Sequence, residues 1–272
     1  MKPPIGPKTQ LCMSLAARPG NFGSRFHNRL YEGLGLDFIY KAFTTTDLPA
    51  AIGGIRALGI RGCAISMPFK EEVIALLDGL APSAAAIDSV NTIVNESGTL
   101  TGYNTDYSAI ATLLDEAEIS PATPFLLHGA GGMAKAVAAV LRDRGHKQGT
   151  VIARNEAKGR ALARTYGFAW DHAPEGLYAP LIINATPLGM AGADADRLAF
   201  PTESIKAAEI VFDVVALPPD TPLLHTAREA GKRVISGVDV AVLQALEQFV
   251  LYTGVRPEPG LVEDAARFAR CV

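Results

Sequence analysis

The stretch Phe125-Leu126-Leu127-His128-Gly129-Ala130-Gly131-Gly132-Met133-Ala134 decides the fold of this chain. An apolar run of strand character ends at a glycine turn, and a pattern of small and apolar residues typical of a helix follows through Leu141. A strand, a tight turn and a helix start together present backbone N–H groups and a positive dipole end to a pyrophosphate. The stretch therefore predicts a dinucleotide-binding turn.

Each small residue in the turn has a role in this prediction. Gly129 permits the sharp turn, Gly131 lets phosphates approach the backbone, and Ala134 allows the helix to pack closely on the strand. The Gly-x-Gly-x-x-Ala pattern alone is a weak signal, because glycine turns between strands and helices are common. We expect the cofactor to contact the run Gly129, Ala130, Gly131, Gly132, Met133 and Ala134. His128 is expected to bond to backbone at the strand end.

The next predicted strand ends at Arg154, where NAD-binding chains usually place an Asp or Glu against the ribose hydroxyls. An acid would repel a 2′-phosphate, whereas a guanidinium offers it charge-assisted hydrogen bonds. Arg154, Asn155 and Lys158 are therefore predicted to contact the cofactor, and the pattern favours NADP over NAD. The alternative is that Arg154 and Lys158 belong to the solvated start of a helix.

Composition narrows the class of protein. The chain has 272 residues, of which 49% are hydrophobic, enough for two modest cores, and a net charge of −3 that gives no electrostatic case for nucleic acid or a membrane surface. Its three cysteines show no metal-binding spacing. Prolines near the amino terminus and the lack of a long apolar run predict a cytoplasmic protein. We expect a small-molecule partner, no metal, and a monomer or homodimer.

Alternation of strand and helix patterns predicts an α/β protein with two lobes. An amino-terminal domain, residues 1–106, is completed by returning carboxyl-terminal helices in residues 239–272, and residues 107–238 form a Rossmann-like dinucleotide-binding domain. In the first domain strands are predicted at 11–15, 38–43 and 61–67, a hairpin at 90–95 and 99–103, and helices at 25–34, 48–58 and 70–80. Thr105-Asp106 is predicted to cap a helix over 107–118. Later strands are predicted at 151–153, 181–184, 210–215 and 233–235, and helices at 240–253 and up to Arg270.

Three polar residues of the first domain stand out as candidates for chemistry. Lys70 follows a strand-ending proline and is placed at a helix start, where the dipole disfavours an ammonium ion and eases the loss of its proton, so this lysine suits proton transfer. The alternative is a solvated lysine beside Glu71 and Glu72. Asp106 can cap a helix with one carboxylate oxygen and face a ligand with the other. Asn91 lies in an apolar strand and needs partners if it is buried, and a ligand hydroxyl is one.

Taken together, these residues resemble those of the shikimate dehydrogenases, and the resemblance runs from about residue 11 to the end of the sequence. The matching motifs are Ser66-Met67-Pro68-Phe69-Lys70, Val90-Asn91-Thr92, Asn104-Thr105-Asp106, Gly129-Ala130-Gly131-Gly132, Asn184-Ala185-Thr186-Pro187-Leu188-Gly189-Met190 and Gln244. The resemblance implies an NADP-linked interconversion of shikimate and 3-dehydroshikimate, a step of aromatic amino acid biosynthesis. It implies that Lys70 and Asp106 are the catalytic pair and that Ser66, Asn91 and Gln244 hold the ring hydroxyls. It also implies cofactor contacts at Asn184, Thr186, Met190, Val214, Gly237 and Val240.

Several positions depart from the family pattern. The family usually has a Ser-Lys-Ser-Pro run before a His-Asn pair, with both serines on the substrate carboxylate, whereas Asn21 and Gly23 occupy those positions here. Ala216 replaces a common tyrosine, and Val240 replaces a methionine. These departures are similar to those of a divergent shikimate dehydrogenase-like branch, and we expect reduced efficiency on shikimate.

Two alternatives stay open. The chain can be a dehydrogenase for quinate, an aminoshikimate-like compound or another polyol acid, because Asn21 and Gly23 alter the end of the site that binds the substrate carboxylate. It can also be a non-catalytic ligand-binding regulator, which the lost serines favour and the retained Lys70 and Asp106 oppose. Arg18 and Arg25 flank the altered loop, either as partners of a carboxylate or as surface residues.

Overall fold

In the computed structural model, which describes residues 2–271, the chain divides into two compact units. One unit comprises Met1–Ser108 together with Val242–Val272, and the other is Ala109–Ala241. The outer limits of the predicted domains, residues 1 and 272, lie outside the described residues. Within residues 2–271 no helix is both long and apolar enough to cross a membrane.

The first unit is built on one mixed sheet. Its strands are β1 (Gln10–Leu15), β2 (Phe38–Phe43), β3 (Gly62–Ile65), β4 (Gly79–Leu80), β5 (Thr92–Glu96) and β6 (Thr99–Tyr103). They lie in the order β2-β1-β3-β5-β6-β4, and only β5 pairs antiparallel with its neighbours. Its helices are α1 (Phe22–Leu34), α2 (Leu48–Ala57), α3 (Pro82–Ala85) and the start of α4 (Thr105–Glu116), with a 3₁₀ turn at Glu72–Leu76.

The second unit is a parallel sheet with helices between its strands. Its strands are β7 (Phe125–His128), β8 (Gly149–Ile152), β9 (Ala169–Asp171), β10 (Leu181–Asn184), β11 (Ile210–Asp213) and β12 (Arg233–Ser236). Its helices are α5 (Gly132–Asp143), α6 (Glu156–Tyr166), α7 (Thr202–Ala207) and α8 (Pro222–Glu229). The order β12-β11-β10-β7-β8-β9 is that of a Rossmann fold, with the glycine turn after the central strand β7. The predicted α/β fold is confirmed.

The chain returns to the first unit through α9 (Gly237–Thr253) and α10 (Pro259–Arg270). Phe26 and Leu30 of α1 are fully buried in one cluster with Phe249 of α9 and Ala265 of α10. Burying such apolar side chains contributes about 1.5–3 kcal/mol each, so both helices are part of this core. A Cβ atom at Gly62 would overlap the Tyr252 ring of α9, so only glycine fits there. The predicted return of the carboxyl-terminal helices is confirmed.

The helix predicted at 70–80 is wrong. Only the 3₁₀ turn at Glu72–Leu76 forms, and residues 79–80 become strand β4 beside β6. The Asp78 carboxylate accepts the Leu100 N–H at 2.7 Å and the Arg56 guanidinium at 2.7 Å, and Ala81 N–H donates to Gly102 at 2.8 Å. These long-range hydrogen bonds draw the segment into the sheet and override its helical pattern.

Smaller differences concern element ends. The strand predicted at 61–67 ends at Ile65, and the short edge strand β9 was not predicted. The cap of α4 is Asn104, whose side chain accepts the Tyr107 N–H at 3.0 Å, so Asp106 is not the capping residue. Asp106 is thereby left for other contacts.

A buried histidine makes the first unit sensitive to acid. His27 is fully buried, stacks on Tyr40 with 4.4 Å between ring centroids, and has no hydrogen-bond partner for either ring nitrogen among the described residues. Burial lowers the pKa of His27 to about 3, which the nearby Gln248 only partly offsets. The folded protein therefore binds the imidazole proton much less readily than the unfolded chain does.

We expect the free energy of unfolding to fall as the pH drops from about 6.5 towards 3, by up to about 1.4 kcal/mol per pH unit from His27. Only the unfolded chain is protonated there in this range, and the contribution is intact above pH 6.5. Urea unfolding at several pH values measures it. His27→Phe should flatten the slope, and His172→Gln, at an exposed position, serves as control. An unchanged slope in His27→Phe would contradict the assignment.

Candidate active site

Lys70 and Asp106 form an ion pair in the first unit, with 2.8 Å between Nζ and Oδ2. Lys70 lies in the turn after β3, and Asp106 lies in the first turn of α4, where the helix dipole favours a carboxylate. Their side chains are 30% and 14% exposed, so both are partly shielded yet still within reach of a ligand. Lys70 was predicted to lie at a helix start, but no helix begins there. Its ammonium group is held instead by the Asp106 carboxylate.

Asn91 is hydrogen-bonded to Thr105, the residue before Asp106, and its side chain has a donor without a partner among the described residues. Its side chain is buried, and Oδ1 accepts the Thr105 N–H and the Thr92 hydroxyl, each at 2.8 Å. Its Nδ2 has no hydrogen-bond partner within the described chain. A buried donor left unpaired costs about 1–3 kcal/mol, which a ligand oxygen would recover. Val90 N–H, one residue earlier, donates to the Lys70 carbonyl at 2.8 Å.

Gln248 was not predicted, and it supports Asn91 from α9. This residue is 5% exposed, and its Nε2 donates to the Asn91 carbonyl at 3.4 Å. The predicted residue Gln244 lies one helical turn earlier, half-buried. Two amides four residues apart on a largely apolar helix were the available signal. Ser66, the remaining predicted hydroxyl ligand, is exposed directly after β3.

The start of α1 offers an uncapped helix end. Asn21 occupies the N-cap position without making a side-chain capping hydrogen bond, so its amide is available to a ligand. A Cβ atom at Gly23 would lie 3.4 Å from the Tyr40 hydroxyl. Asn28 fixes the Tyr40 backbone with two hydrogen bonds of 2.8 and 3.0 Å. The glycine thus leaves room for a small group beside the Tyr40 hydroxyl, at the positive end of a helix.

Arg25 is not available to pair with a carboxylate. Its guanidinium donates to the carbonyls of Phe268 and Cys271, at 2.8 Å each through Nη2, and it stacks over the Phe268 ring. It therefore ties α1 to the end of α10. Arg18 is exposed, and its side chain has no hydrogen bond or ion pair within residues 2–271.

The glycine turn of the second unit is shaped for close approach. Gly129 has φ +131°, a conformation that favours glycine, and a Cβ there would lie 2.6 Å from the Ala185 carbonyl oxygen. At Gly131, the N-cap of α5, a Cβ would project into open space. That space adjoins the positive end of a twelve-residue helix. The turn can therefore hold a pyrophosphate, and Gly132, Met133 and Ala134 continue it into α5.

A cavity of about 280 Å³ connects this turn with Arg154, Lys158 and Thr186. Neither cationic side chain forms an ion pair with another described residue, so both charges are available to an anion. Asn155 lines the same cavity and caps α6, its Oδ1 accepting the Lys158 N–H at 3.0 Å. Two free cations beside a phosphate-binding turn suit a ribose 2′-phosphate.

The loop after β10 is held by a buried network. Asn184 is fully buried, donates to the Asp213 carboxylate at 2.9 Å and accepts the Thr186 hydroxyl at 2.6 Å. Burial raises the pKa of Asp213, against hydrogen bonds from Thr221, Val215 and Asn184. The Asn184 side chain therefore holds the loop in place, and Thr186 reaches the cavity.

The other predicted cofactor residues have varied positions. Met190 is exposed, and Val240 is buried. Val214 N–H donates to the Asn184 carbonyl at 3.0 Å. A Cβ at Gly237 would overlap the Val214 and Val215 carbonyls. Within the described chain no group of three or more His, Cys, Asp or Glu side chains is placed to hold a metal ion.

Comparison with known proteins identifies relatives of the whole chain. Residues 22–93 match the family model "Shikimate dehydrogenase substrate binding domain". A shikimate dehydrogenase-like protein of Haemophilus influenzae is 52% identical over 267 residues, which are 98% of each chain. The shikimate 5-dehydrogenase of Thermus thermophilus, solved with NADP(H) and shikimate, is 31% identical with a TM-score of 0.83, covering 96% of this chain and 99% of that one. The quinate dehydrogenase of Corynebacterium glutamicum, solved with NAD, is 28% identical with a TM-score of 0.86, covering 96% and 98%.

Proposed function

The chain belongs to the shikimate dehydrogenase family, and on that premise we propose that it is an NADP-dependent oxidoreductase interconverting shikimate and 3-dehydroshikimate, with reduced efficiency on shikimate. The observation that carries the proposal is the Lys70–Asp106 ion pair at 2.8 Å, together with the buried Asn91 Nδ2 that has no hydrogen-bond partner among the described residues. A ligand-binding protein without turnover has no need of a proton-transfer pair. A cytoplasmic location is part of the proposal.

Lys70 and Asp106 handle the proton of the reacting hydroxyl in this mechanism. The bound dinucleotide supplies the hydride acceptor or donor. In the reducing direction the Lys70 ammonium donates a proton to the carbonyl oxygen, and in the oxidising direction the pair takes that proton back. Asp106 orients Nζ through the 2.8 Å contact and balances its charge. Asn91 Nδ2 donates to a ring oxygen, with Ser66 and Gln244 as further ligands of the ring hydroxyls.

NADP is favoured over NAD by the charges of the cavity after β8. Arg154 and Lys158 line it without competing ion pairs, and no acidic side chain of residues 2–271 lines it. Gly131 provides the open approach to the pyrophosphate. By this proposal Gly129, Ala130, Gly131 and the start of α5 hold the pyrophosphate, and Arg154 with Lys158 holds the 2′-phosphate.

A second candidate activity is a dehydrogenase for a different ring acid, such as quinate or an aminoshikimate-like compound. The observation that favours it is the space at Gly23 beside the Tyr40 hydroxyl, together with the free Asn21 amide. A substrate with a larger or differently polar group at the carboxylate end would use that space. The same α1 terminus still supports a carboxylate by its dipole.

Initial rates of nicotinamide reduction test the proposal, with shikimate and quinate each offered with NADP⁺ and with NAD⁺. We expect shikimate with NADP⁺ to give the highest kcat/KM. A higher value with quinate would select the second activity. Binding of cofactor and polyol in calorimetry without detectable hydride transfer would mean a ligand-binding regulator and would reject the proposal.

Restoring a serine at Gly23 should improve use of shikimate. The backbone there is helical with ordinary φ, and a Cβ would make van der Waals contact with the Tyr40 side chain, its nearest atom being the hydroxyl at 3.4 Å, so Gly23→Ser should fold. One hydroxyl donor to the carboxylate should lower KM for shikimate by about 10-fold, the lower end of the range for a hydrogen bond to a charged group. Gly23→Ala is the matched control, since it fills the space without the hydroxyl. Equal KM values for the two variants would contradict this role.

A further inference from the structure

His128 ends the central strand β7, and its ring is fixed on two sides. Its Nδ1 lies 2.7 Å from the Ala199 carbonyl oxygen, and the Phe200 ring packs edge-on at 5.6 Å between centroids. The expected bond to backbone is thus confirmed, and only 7% of the residue is exposed. These contacts occupy Nδ1 and one edge of the ring.

The bond to Ala199 determines the chemistry of the other nitrogen. A carbonyl oxygen only accepts hydrogen bonds, so Nδ1 carries the hydrogen, and in the neutral ring Nε2 is an acceptor. Burial lowers the pKa of His128, and the Arg154 charge acts in the same direction, whereas the hydrogen bond to Ala199 and the Glu175 charge act against it. The net effect is a lowered pKa, so the ring is neutral at neutral pH. Nε2 has no hydrogen-bond partner within residues 2–271. A half-satisfied, rigid imidazole therefore offers one directed acceptor.

The surroundings of His128 define what this acceptor can bind. His128 lines the cavity that also contains Gly129, Arg154 and Lys158. The guanidinium and ammonium groups are donors only, and the neighbouring Ala153 side chain is apolar. In dinucleotide-binding chains an Asp or Glu at the position of Arg154 accepts from ribose hydroxyls, and the substitution by Arg removes that acceptor. Asn155 and Thr186 also line the cavity, but Asn155 Oδ1 already accepts the Lys158 N–H and the Thr186 hydroxyl already accepts the Leu188 N–H. A 2′-phosphorylated ribose keeps a 3′-hydroxyl, which is a donor for the remaining acceptor.

We propose that His128 Nε2 accepts a hydrogen bond from the 3′-hydroxyl of the adenosine ribose, which makes His128 a cofactor-recognition residue. The inference rests on the NADP part of the proposed function. Arg154 and Lys158 bind the 2′-phosphate, and His128 replaces the acceptor that an acidic residue supplies in NAD sites. The adenine 6-amino group is the other donor of an adenosine, and it is the competing outcome.

Calorimetric binding of adenosine 2′,5′-bisphosphate tests the inference, with its 3′-deoxy analogue and its inosine analogue as comparison probes. These probes lack nicotinamide, so the readout is independent of turnover. The wild-type protein should bind the parent probe about 3- to 10-fold more tightly than the 3′-deoxy probe. His128→Asn can keep the bond to Ala199 but loses Nε2, and we expect it to bind both probes equally. His128→Gln can place an amide oxygen near the position of Nε2 and should restore part of the preference.

The outcomes separate this inference from the proposed function. It is overturned if the wild-type protein does not distinguish the 3′-deoxy probe, or if the preference survives in His128→Asn. It is also overturned if His128→Asn weakens the binding of all three probes alike, because that result means a structural role. It is overturned as well if His128→Asn weakens the binding of every probe except the inosine probe, because that result means that His128 binds the adenine 6-amino group. The predicted binding pattern in a protein that turns over neither shikimate nor quinate would support the inference and reject the proposed dehydrogenase.

Discussion

Replacing Lys70 with alanine is expected to lower kcat by about 10²- to 10⁴-fold on the best substrate, with a much smaller change in KM. The reason is that in the proposed mechanism Nζ, held 2.8 Å from Asp106, exchanges the proton of the reacting hydroxyl. Steady-state rates with saturating NADP⁺ measure the effect. Lys8→Ala, which removes an exposed lysine of the same unit, is the matched control and should leave kcat unchanged.

The partner residue sharpens this test. Asp106→Asn should lower kcat by a comparable factor, because it leaves Nζ without its orienting carboxylate. If the pair acts as one unit, the double variant should be little worse than either single variant. An unchanged kcat in Lys70→Ala would refute the catalytic assignment. An increase confined to KM would make Lys70 a substrate-binding residue.

Replacing Arg154 with glutamine is expected to raise the Kd of NADPH by about 10- to 100-fold and to leave that of NADH nearly unchanged. A hydrogen bond to a charged group contributes about 1.5–3 kcal/mol, and only NADPH carries the phosphate that Arg154 is placed to bind. Quenching of the single tryptophan, Trp170 in the same unit, provides the titration signal.

Arg164→Gln is the control for Arg154, because Arg164 has the same charge and lies on α6, the helix that follows Arg154, but outside the cavity. It should alter neither dissociation constant by more than about twofold, since an exposed charge contributes little. Equal weakening of NADPH and NADH binding in Arg154→Gln would indicate that the Arg154 charge attracts both dinucleotides and does not contact the 2′-phosphate. No weakening of either would mean that Arg154 belongs to a solvated helix start.

The parts of the fold that sequence alone predicted are those determined locally. The glycine turn and its flanking strand and helix lie within about twenty residues, and their glycine requirements are set by the turn itself. Arg154 was informative because its position relative to that turn is fixed by the strand–helix–strand unit. The pairing of Lys70 with Asp106, 36 positions apart, was inferred only through resemblance to a family and not from local pattern.

The parts that sequence missed depend on contacts between distant segments. The 70–80 segment has a helical pattern, but hydrogen bonds to residues 100 and 102 make its end a strand. Arg25 was a candidate to bind a substrate carboxylate, but in the structure its guanidinium donates to the carbonyls of Phe268 and Cys271 at the end of α10. The tautomer of His128 depends on Ala199, 71 positions away, so no local pattern could reveal the free acceptor on its ring.

The discontinuity of the first unit has a consequence for how the protein is made. Phe26 and Leu30 leave the ribosome long before Phe249 and Ala265, the residues that cover them. At about 5–20 residues per second, α1 waits roughly ten to fifty seconds for α10. The second unit is continuous in sequence and is complete by residue 241. During synthesis, therefore, the half built on the parallel sheet can fold first, while the half that carries Lys70 and Asp106 exposes apolar surface until the last helix emerges.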